Sequence, residues 1–218
     1  MPARGPGRGR IAPGPRTLGA AGFAGALMLS ALLPGAPTRA AAQQPDRLAT
    51  CLACHGAGGT SMLPETPSLG GQPTFYLLAQ LVMFREGRRA NAVMTEMAKP
   101  LSNNDVRALS EAITKLPPPE PPADAADPAR MARAQALARQ RHCPVCHNPD
   151  YSGREQMARL ANQREDYLLK VMREFRAGTR IGYGGTMIQE LIGLSDAELA
   201  DLAHYLARLP KPGAAAPR

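Results

Sequence analysis

The stretch Cys51-Leu52-Ala53-Cys54-His55 recurs as Cys143-Pro144-Val145-Cys146-His147, and these two pentapeptides organise the rest of the chain. In Cys-x-x-Cys-His, both thiols can bond to one porphyrin and the histidine can bind its iron. The motif therefore predicts two covalently attached c-type haems, one for each copy. The two copies use all four cysteines of the chain, so no thiol is left for another purpose.

Each copy supplies three candidate site residues. The thioether links are predicted to be formed by Cys51 and Cys54 for the first haem, and by Cys143 and Cys146 for the second. His55 and His147 are predicted to be the proximal ligands of the two irons.

Three other roles of paired cysteines fit the sequence less well. A redox dithiol is expected beside a βαβ unit, and no stretch here alternates with the period of a strand. A zinc site made of two pairs needs a gap of about 15–20 residues. Here 89 positions separate Cys54 from Cys143, and zinc would leave both histidines unexplained. A disulfide within each pair is the simplest remaining alternative.

Residues 1–42 have the pattern of a secretory signal peptide. They begin with a basic stretch, continue with an apolar run over residues 18–33, and offer a cleavage site at Ala40-Ala41-Ala42. The run is shorter than the roughly 20 apolar residues that cross a bilayer, so cleavage is favoured over an uncleaved membrane anchor. We expect export to the periplasm, an oxidising compartment in which free thiols would otherwise pair.

The net charge of +8 falls mostly on the predicted signal peptide. Residues 1–42 carry five arginines and no acidic residue, which leaves +3 on the remainder. Nucleic-acid binding requires a concentrated basic patch or a known reader motif. The sequence contains neither, so we expect no nucleic-acid partner.

The chain after residue 42 is an internal repeat. The stretch Gly71-Gln72-Pro73-Thr74-Phe75-Tyr76-Leu77-Leu78 corresponds to Asn162-Gln163-Arg164-Glu165-Asp166-Tyr167-Leu168-Leu169 at an offset of 91 positions. We therefore predict one domain over residues 43–116 and a second over residues 129–210. The proline-rich residues 117–128 are expected to form an extended linker, and residues 211–218 a disordered tail.

Both halves have the periodicity of helices, which predicts an all-α fold. The last helix of each half is expected to begin with a capping box at Ser102 or Ser195. Gly87 and Gly178 stand where an earlier helix should end.

The segments ahead of the two haem motifs differ in length. In the second half, Asp127 can cap a helix that has Pro128 in its first turn and continues to Gln140. In the first half there is room for only about two helical turns before Cys51.

A methionine thioether is the soft sixth ligand expected of an electron-carrying haem. Met94 and Met187 each lie seven residues before a leucine that precedes a capping box, Leu101 and Leu194 respectively. No other methionine pair stands in register, so we predict Met94 and Met187 as the distal iron ligands. Met97 is the alternative for the first iron.

These motifs together resemble a dihaem class I cytochrome c of the cytochrome c4 type. The resemblance covers almost all of residues 46–210. It is carried by the two haem motifs, by Pro67-x-Leu69-x-Gly71-Gln72-x-x-x-Tyr76-Leu77, by Phe84-Arg85-x-Gly87, and by Met94 ahead of Leu101-Ser102. The family implies two tandem small cytochrome c domains joined by the proline-rich linker. It also implies electron transfer to a terminal oxidase or another reductase.

The second half departs from the family pattern. Ala158 stands where the first half has Pro67, and Asn162 replaces Gly71. In cytochromes c, a backbone carbonyl near such a proline accepts a hydrogen bond from the proximal histidine, which orients the ring and tunes the iron. The sequence therefore does not identify the carbonyl that accepts a hydrogen bond from His147. We hypothesise that the two haems have unequal potentials.

We predict a periplasmic electron carrier, without enzymatic activity, that exchanges electrons with a donor and an acceptor protein. The alternatives are a cytochrome subunit of a dehydrogenase or oxidase complex, and a dihaem peroxidase-like enzyme. A membrane-bound oxidase or dehydrogenase is a candidate partner. The matched methionines favour closed iron sites over the open site of a peroxidase. Several basic side chains form either a docking ring around the haem edges or a solvated face: Arg85, Arg88, Arg89, Lys99, Arg173, Arg176 and Arg180.

Overall fold

Helices make up the regular structure of the part of the chain that the computed structural model describes, residues 44–180 and 185–210. The predicted signal peptide and the predicted tail lie outside these residues. The helices are α1 (Gln44–His55), α2 (Thr74–Arg85), α3 (Ala92–Ala98), α4 (Asn103–Thr114), α5 (Pro128–Gln140), α6 (Cys143–His147), α7 (Glu165–Arg176), α8 (Thr186–Leu191) and α9 (Asp196–Ala207). Within the described residues there is no strand beyond one isolated bridge between Arg154 and Met157. The all-α prediction is confirmed.

The first half packs α2 against α3 and α4, and α1 against α4. Apolar residues with helical spacing on these helices form one buried cluster, because each helix turns a single apolar stripe inward. Its members are Leu77, Phe84, Ala98, Leu101, Val106, Leu109 and Ile113.

The second half packs α9 against both α5 and α7. Its buried cluster is larger and shares no residue with the first one. Its members include Ala134, Ala138, Tyr151, Leu168, Met172, Phe175, Leu191, Leu199, Leu202 and Leu206. Burying each leucine contributes about 1.5–3 kcal/mol of transfer free energy. The two halves therefore have separate cores built from the same register of the repeat.

The predicted helix ends are confirmed. Both capping boxes form: the Ser102 hydroxyl accepts from the Asp105 N–H, and the Ser195 hydroxyl accepts from the Glu198 N–H. In each box the carboxylate in turn accepts a hydrogen bond from the serine N–H. Gly87 has a φ of +66° just beyond the end of α2, a conformation that suits glycine and terminates the helix.

The two haem motifs are reached by different helices. In the first half α1 supplies the predicted two turns, but it does not end there and continues through the motif to His55. In the second half, Asp127 caps α5 as predicted by accepting from the Ala129 and Arg130 N–H groups. The chain then turns at His142, whose φ is +54°, before α6 begins at Cys143.

The proline-rich segment packs against the rest of the protein. A side chain on Gly70 would approach the Pro117 carbonyl oxygen to 2.0 Å, so the segment passes directly over this glycine. Farther along, Asp124 forms an ion pair with Arg208 at the end of the second half. Prolines therefore stiffen a connection that lies on the protein surface.

Among the described residues, no helix has both the length and the apolar character needed to cross a membrane.

Candidate functional site

His55, the last residue of α1, is held by a backbone carbonyl. Its ring is buried, with 7% of its surface exposed, and its Nδ1 lies 2.8 Å from the carbonyl oxygen of Pro67. This hydrogen bond fixes the ring orientation and leaves Nε2 as the atom available to a metal. Burial lowers the pKa of His55, which favours the neutral imidazole that binds iron.

A glycine turn brings Pro67 to this histidine. The Gly59 carbonyl accepts hydrogen bonds from the Leu69 and Gly70 N–H groups at 2.8 and 3.1 Å. Gly59 has a φ of +82°, and a Cβ there would lie 2.8 Å from the Gly70 nitrogen. Glycine therefore allows the close approach of two backbone segments.

His147, the last residue of α6, has the same arrangement. It is also 7% exposed, and its Nδ1 lies 2.8 Å from the carbonyl oxygen of Ala158. Its Nε2 is buried and has no protein partner. A buried nitrogen without a partner is unfavourable unless something binds it, so this atom fits the iron ligand that the motif predicts. Burial lowers the pKa of His147 as well.

The carbonyl that accepts from His147, which the sequence did not identify, is therefore that of Ala158. Ala158 corresponds to Pro67 in the repeat. The turn that brings this carbonyl to the histidine has the same hydrogen bonds as the Gly59 turn of the first half, but different residues form it. The Tyr151 carbonyl accepts from the Leu160 and Ala161 N–H groups at 2.9 and 3.1 Å. Tyr151 has a φ of +56°, and its buried ring packs edge-on against Tyr205.

Asn162, the other departure from the family pattern, also has a structural explanation. Its φ of +59° matches the +65° of Gly71, and asparagine tolerates this left-handed region better than most residues. Its side-chain amide donates to the carbonyls of Ala207 and Leu209 at 3.4 and 2.7 Å. In the first half a Cβ on Gly71 would lie 3.0 Å from the Pro118 Cβ, because the linker occupies that space.

The four cysteines form no disulfide with one another, which removes the alternative of a disulfide within each pair. Burial raises the pKa of the Cys143 thiol to about 11. Among the described residues, no three His, Cys, Asp or Glu side chains come together as a metal-ion site requires. The two Cys-x-x-Cys pairs therefore do not join in a shared zinc site.

The candidate methionines lie on short helices against the two cores. Met94 of α3 is partly buried against the first core, and Met187 of α8 is partly buried against the second. Met97, the alternative to Met94, is 42% exposed. The Met94 N–H donates to the Asn91 side chain, which caps α3.

The other two histidines, His142 and His204, contact other parts of the second half. His142 is exposed, and its Nδ1 lies 4.0 Å from a carboxylate oxygen of Glu190. His204 is buried within α9 and accepts a hydrogen bond from the Asp127 N–H at the start of α5.

Several of the basic residues predicted to form a docking ring or a solvated face instead make hydrogen bonds within the protein. Arg85 and Arg176 occupy equivalent places in the repeat and donate to the carbonyls of Leu101 and Leu194, at 3.1 and 2.8 Å. Arg89 and Arg180 are another equivalent pair in the repeat, and Arg180 is buried. Arg89 lies over the Phe84 ring, and Arg180 lies over the Phe175 ring. Both donate to the Tyr167 hydroxyl, so these two guanidinium groups converge where the halves meet.

Two glutamines, Gln72 and Gln163, make contacts between the halves that the sequence did not predict. Each is buried, and each binds backbone of the opposite half beside the carbonyl that serves the histidine. Their equivalent places in the repeat were the available signal. The repeat does not show that each side chain binds the backbone of the opposite half.

Comparison with known proteins shows which family has this sequence and fold. A family model for cytochrome c matches residues 131–210. A thiosulfate dehydrogenase electron acceptor of Thiomonas intermedia (strain K12) is 36% identical over 84% of this chain and 88% of its own. A cytochrome c4 of Thiocapsa roseopersicina is 36% identical over 73% of this chain and 86% of its own. The crystal structure of reduced recombinant cytochrome c4 from Pseudomonas stutzeri has a TM-score of 0.69 at 29% identity, covering 78% of this chain and 98% of that one.

The helical fold and these matches define a class I cytochrome c, a haem protein that transfers electrons. Within that class, the chain belongs to the cytochrome c4 family. It has two tandem cytochrome c domains joined by the proline-rich linker, and it carries covalently bound haem c. It functions as an electron carrier between redox partners and not as an enzyme.

Proposed function

We propose that the chain is a periplasmic electron carrier that holds two haems, one in each half, both with histidine and methionine as axial ligands. The observation that carries this proposal is the repeated contact of the two histidines. In both halves the Nδ1 atom lies 2.8 Å from an equivalent backbone carbonyl oxygen. The unpaired, buried Nε2 of His147 supports iron binding on the other side of the ring.

In this proposal the thioether links are formed by Cys51 and Cys54, and by Cys143 and Cys146. His55 and His147 are the proximal ligands, and Met94 and Met187 the distal ligands. The haem, when bound, supplies a one-electron redox centre whose potential rises with thioether ligation. The partial burial of Met94 and the 42% exposure of Met97 support the choice between these two residues.

The protein's own part is to hold each imidazole neutral and fixed in orientation. Burial lowers the pKa of each histidine and so favours the neutral ring. The carbonyl that accepts from Nδ1–H leaves Nε2 as the nitrogen without a proton. The carbonyl on Nδ1 raises the basicity of the ring, which favours the oxidised iron and so lowers the potential. A histidine and a methionine bound to the iron would leave no position open for a substrate, which suits a carrier.

The periplasmic location rests on the signal pattern of residues 1–42 and on the cysteine chemistry. Haem attachment requires reduced thiols in a compartment where thiols otherwise pair. Determining the N-terminus of the purified protein tests this part. A mature chain beginning near residue 43 supports the proposal, and an intact residue 1 on a cytoplasmic protein contradicts it.

A dehydrogenase is the electron donor that the relatives favour. The relative from Thiomonas intermedia is named as an electron acceptor of thiosulfate dehydrogenase, and so is one from Stutzerimonas stutzeri at 31% identity. We propose that this chain likewise accepts electrons from a periplasmic dehydrogenase. Mixing the oxidised protein with thiosulfate and thiosulfate dehydrogenase should reduce both haems rapidly. Reduction no faster than without the enzyme would contradict this donor.

The carrier proposal is tested by a haem count joined to an optical redox titration. The intact mass and the alkaline pyridine spectrum should give two haems per chain, both low-spin and reversibly reducible. One haem per chain, or a high-spin oxidised spectrum, would contradict it.

A further inference from the structure

Gln163 of the second half binds the peptide that serves the histidine of the first half. Its Oε1 accepts a hydrogen bond from the Ser68 N–H at 2.8 Å, and its Nε2 donates to the Ser68 carbonyl at 2.8 Å. The Ser68 N–H and the Pro67 carbonyl belong to one peptide group. That carbonyl is the acceptor for His55.

Gln72 of the first half makes the reciprocal contact. Its Oε1 accepts from the Arg159 N–H at 2.9 Å, and its Nε2 donates to the Arg159 carbonyl at 3.0 Å. The Arg159 N–H shares a peptide group with the Ala158 carbonyl, which is the acceptor for His147. Both glutamines are only 4% exposed, so these bonds are shielded from water.

Each histidine is thus the start of a hydrogen-bond chain that ends in the other half. The chain runs from the imidazole Nδ1–H to a carbonyl, through that peptide group to its N–H, and on to a glutamine oxygen. A peptide whose N–H is engaged has a more negative carbonyl oxygen, because hydrogen bonds in series polarise one another. A more negative carbonyl draws the Nδ1 proton more strongly and makes the imidazole a more basic ligand.

We propose that Gln72 and Gln163 are positioning residues that act crosswise: Gln163 lowers the potential of the first haem, and Gln72 lowers the potential of the second. This inference rests on the proposed histidine ligation of two haems. Neither glutamine touches a haem ligand directly. Each half therefore tunes the iron of the other through one shared peptide group.

The test is Gln163→Leu and Gln72→Leu in the full chain with its haems attached. Each haem is followed separately through its own haem-methyl NMR signals during a redox titration. Gln163→Leu should raise the potential of the first haem and leave the second at the wild-type value. Gln72→Leu should do the reverse. Hydrogen exchange of the Ser68 N–H should become faster in Gln163→Leu, because its acceptor is gone.

A matched control weakens the interface between the halves but leaves intact the two peptide groups that bind the histidines. Lys170 and Glu65 form an ion pair across the halves at 2.7 Å. The double variant E65Q/K170Q breaks it at unchanged net charge, and both potentials should stay at their wild-type values. If the leucine variants do not fold, Gln163→Asn and Gln72→Asn draw the amide back by one methylene and should give smaller crosswise shifts.

Two results would overturn the inference: potentials unchanged in every glutamine variant, or shifts confined to the haem of the mutated half. Equal shifts in E65Q/K170Q would also overturn it, because they would assign the effect to loosening of the interface. A wild-type protein without two histidine-ligated haems is a different failure, since it removes the proposed function before any variant is made.

Discussion

The two halves place the same hydrogen bond with different residues. In the first half, Gly59 makes the turn and Pro67 presents the carbonyl to the histidine. In the second, Tyr151 makes the turn and Ala158 presents the carbonyl. The distance from Nδ1 to the carbonyl oxygen is 2.8 Å in both.

The difference teaches that the site depends on a backbone path more than on side-chain identity. A carbonyl is common to every residue, so proline can be lost if the chain still passes the same point. The second half holds this path with larger groups. Tyr151 fills the core where the first half has a glycine, and Asn162 donates to the carbonyls of Ala207 and Leu209 at the end of α9. The first half has no room for that asparagine, because Pro118 lies there.

Removing the proposed methionine ligand of either iron should have the largest effect. Met94→Ala and Met187→Ala should each remove about half of the methionine–iron(III) charge-transfer absorption, because each takes the thioether from one haem. Near-infrared absorption of the oxidised protein measures this. Met97→Ala is the matched control and should leave the band intact. Loss of the band in Met97→Ala, with retention in Met94→Ala, would move the first ligand to Met97.

Exchanging the glycine and the asparagine tests why the halves differ. Asn162→Gly should destabilise the second half by about 1–2 kcal/mol, since two hydrogen bonds to backbone carbonyls are lost. Gly71→Asn should destabilise the first half by about 1–3 kcal/mol, because the new side chain meets Pro118. Thermal unfolding followed by circular dichroism measures both. A neutral Gly71→Asn would show that the linker does not occupy this space.

An ion-pair cluster found between α5 and α9 should make the second half more acid-sensitive. Asp201 binds Arg130 and Arg133 at 2.9 and 2.8 Å. Burial acts to raise the pKa of Asp201, but hydrogen bonds from Arg133 and Arg130 outweigh it and hold the pKa below its ordinary value. Stability from such a carboxylate is present above its unfolded pKa, and is lost as pH falls through the lower folded value.

We therefore expect Asp201→Asn to destabilise the second half by about 1–2 kcal/mol at pH 7. The difference from wild type should shrink steadily as the pH is lowered below about 4. Urea unfolding at a series of pH values measures it. A difference that grows toward acid pH would contradict the sign of this pKa shift.

Restoring the missing proline should have the smallest effect. Ala158→Pro leaves the carbonyl on the same backbone atom, so the potential of the second haem should stay close to the wild-type value. The haem-resolved redox titration measures it. A shift as large as that of Gln72→Leu would show that the proline itself, and not only the carbonyl, tunes the iron.

Much of this molecule could be predicted from its sequence, for reasons that are local. The haem motifs, the helix periodicity and the capping boxes at Ser102 and Ser195 act within a few residues, and the fold they predicted is confirmed. The repeat register also picked out Met94 and Met187, although their role as ligands stays a prediction. The helix α1 was underestimated, because no stop signal separates its first turns from the haem motif.

The remaining features depend on segments that are distant in sequence. The partners of Asn162 lie 45 and 47 residues farther along, and those of Gln72 and Gln163 lie in the opposite half. A backbone acceptor such as the Ala158 carbonyl leaves no mark in the residue type. The sequence shows the charge of Arg89 and Arg180 but not their packing on the Phe84 and Phe175 rings, so it suggested a docking ring or a solvated face.

The central claim is that both halves build the same histidine–methionine site despite their different residues. Near-infrared magnetic circular dichroism of the fully oxidised wild-type protein tests it most directly, because it reports the axial ligands of each low-spin haem. We expect two haems per chain, both with the histidine–methionine signature. A spectrum in which only one haem has that signature, or in which neither does, would contradict the claim.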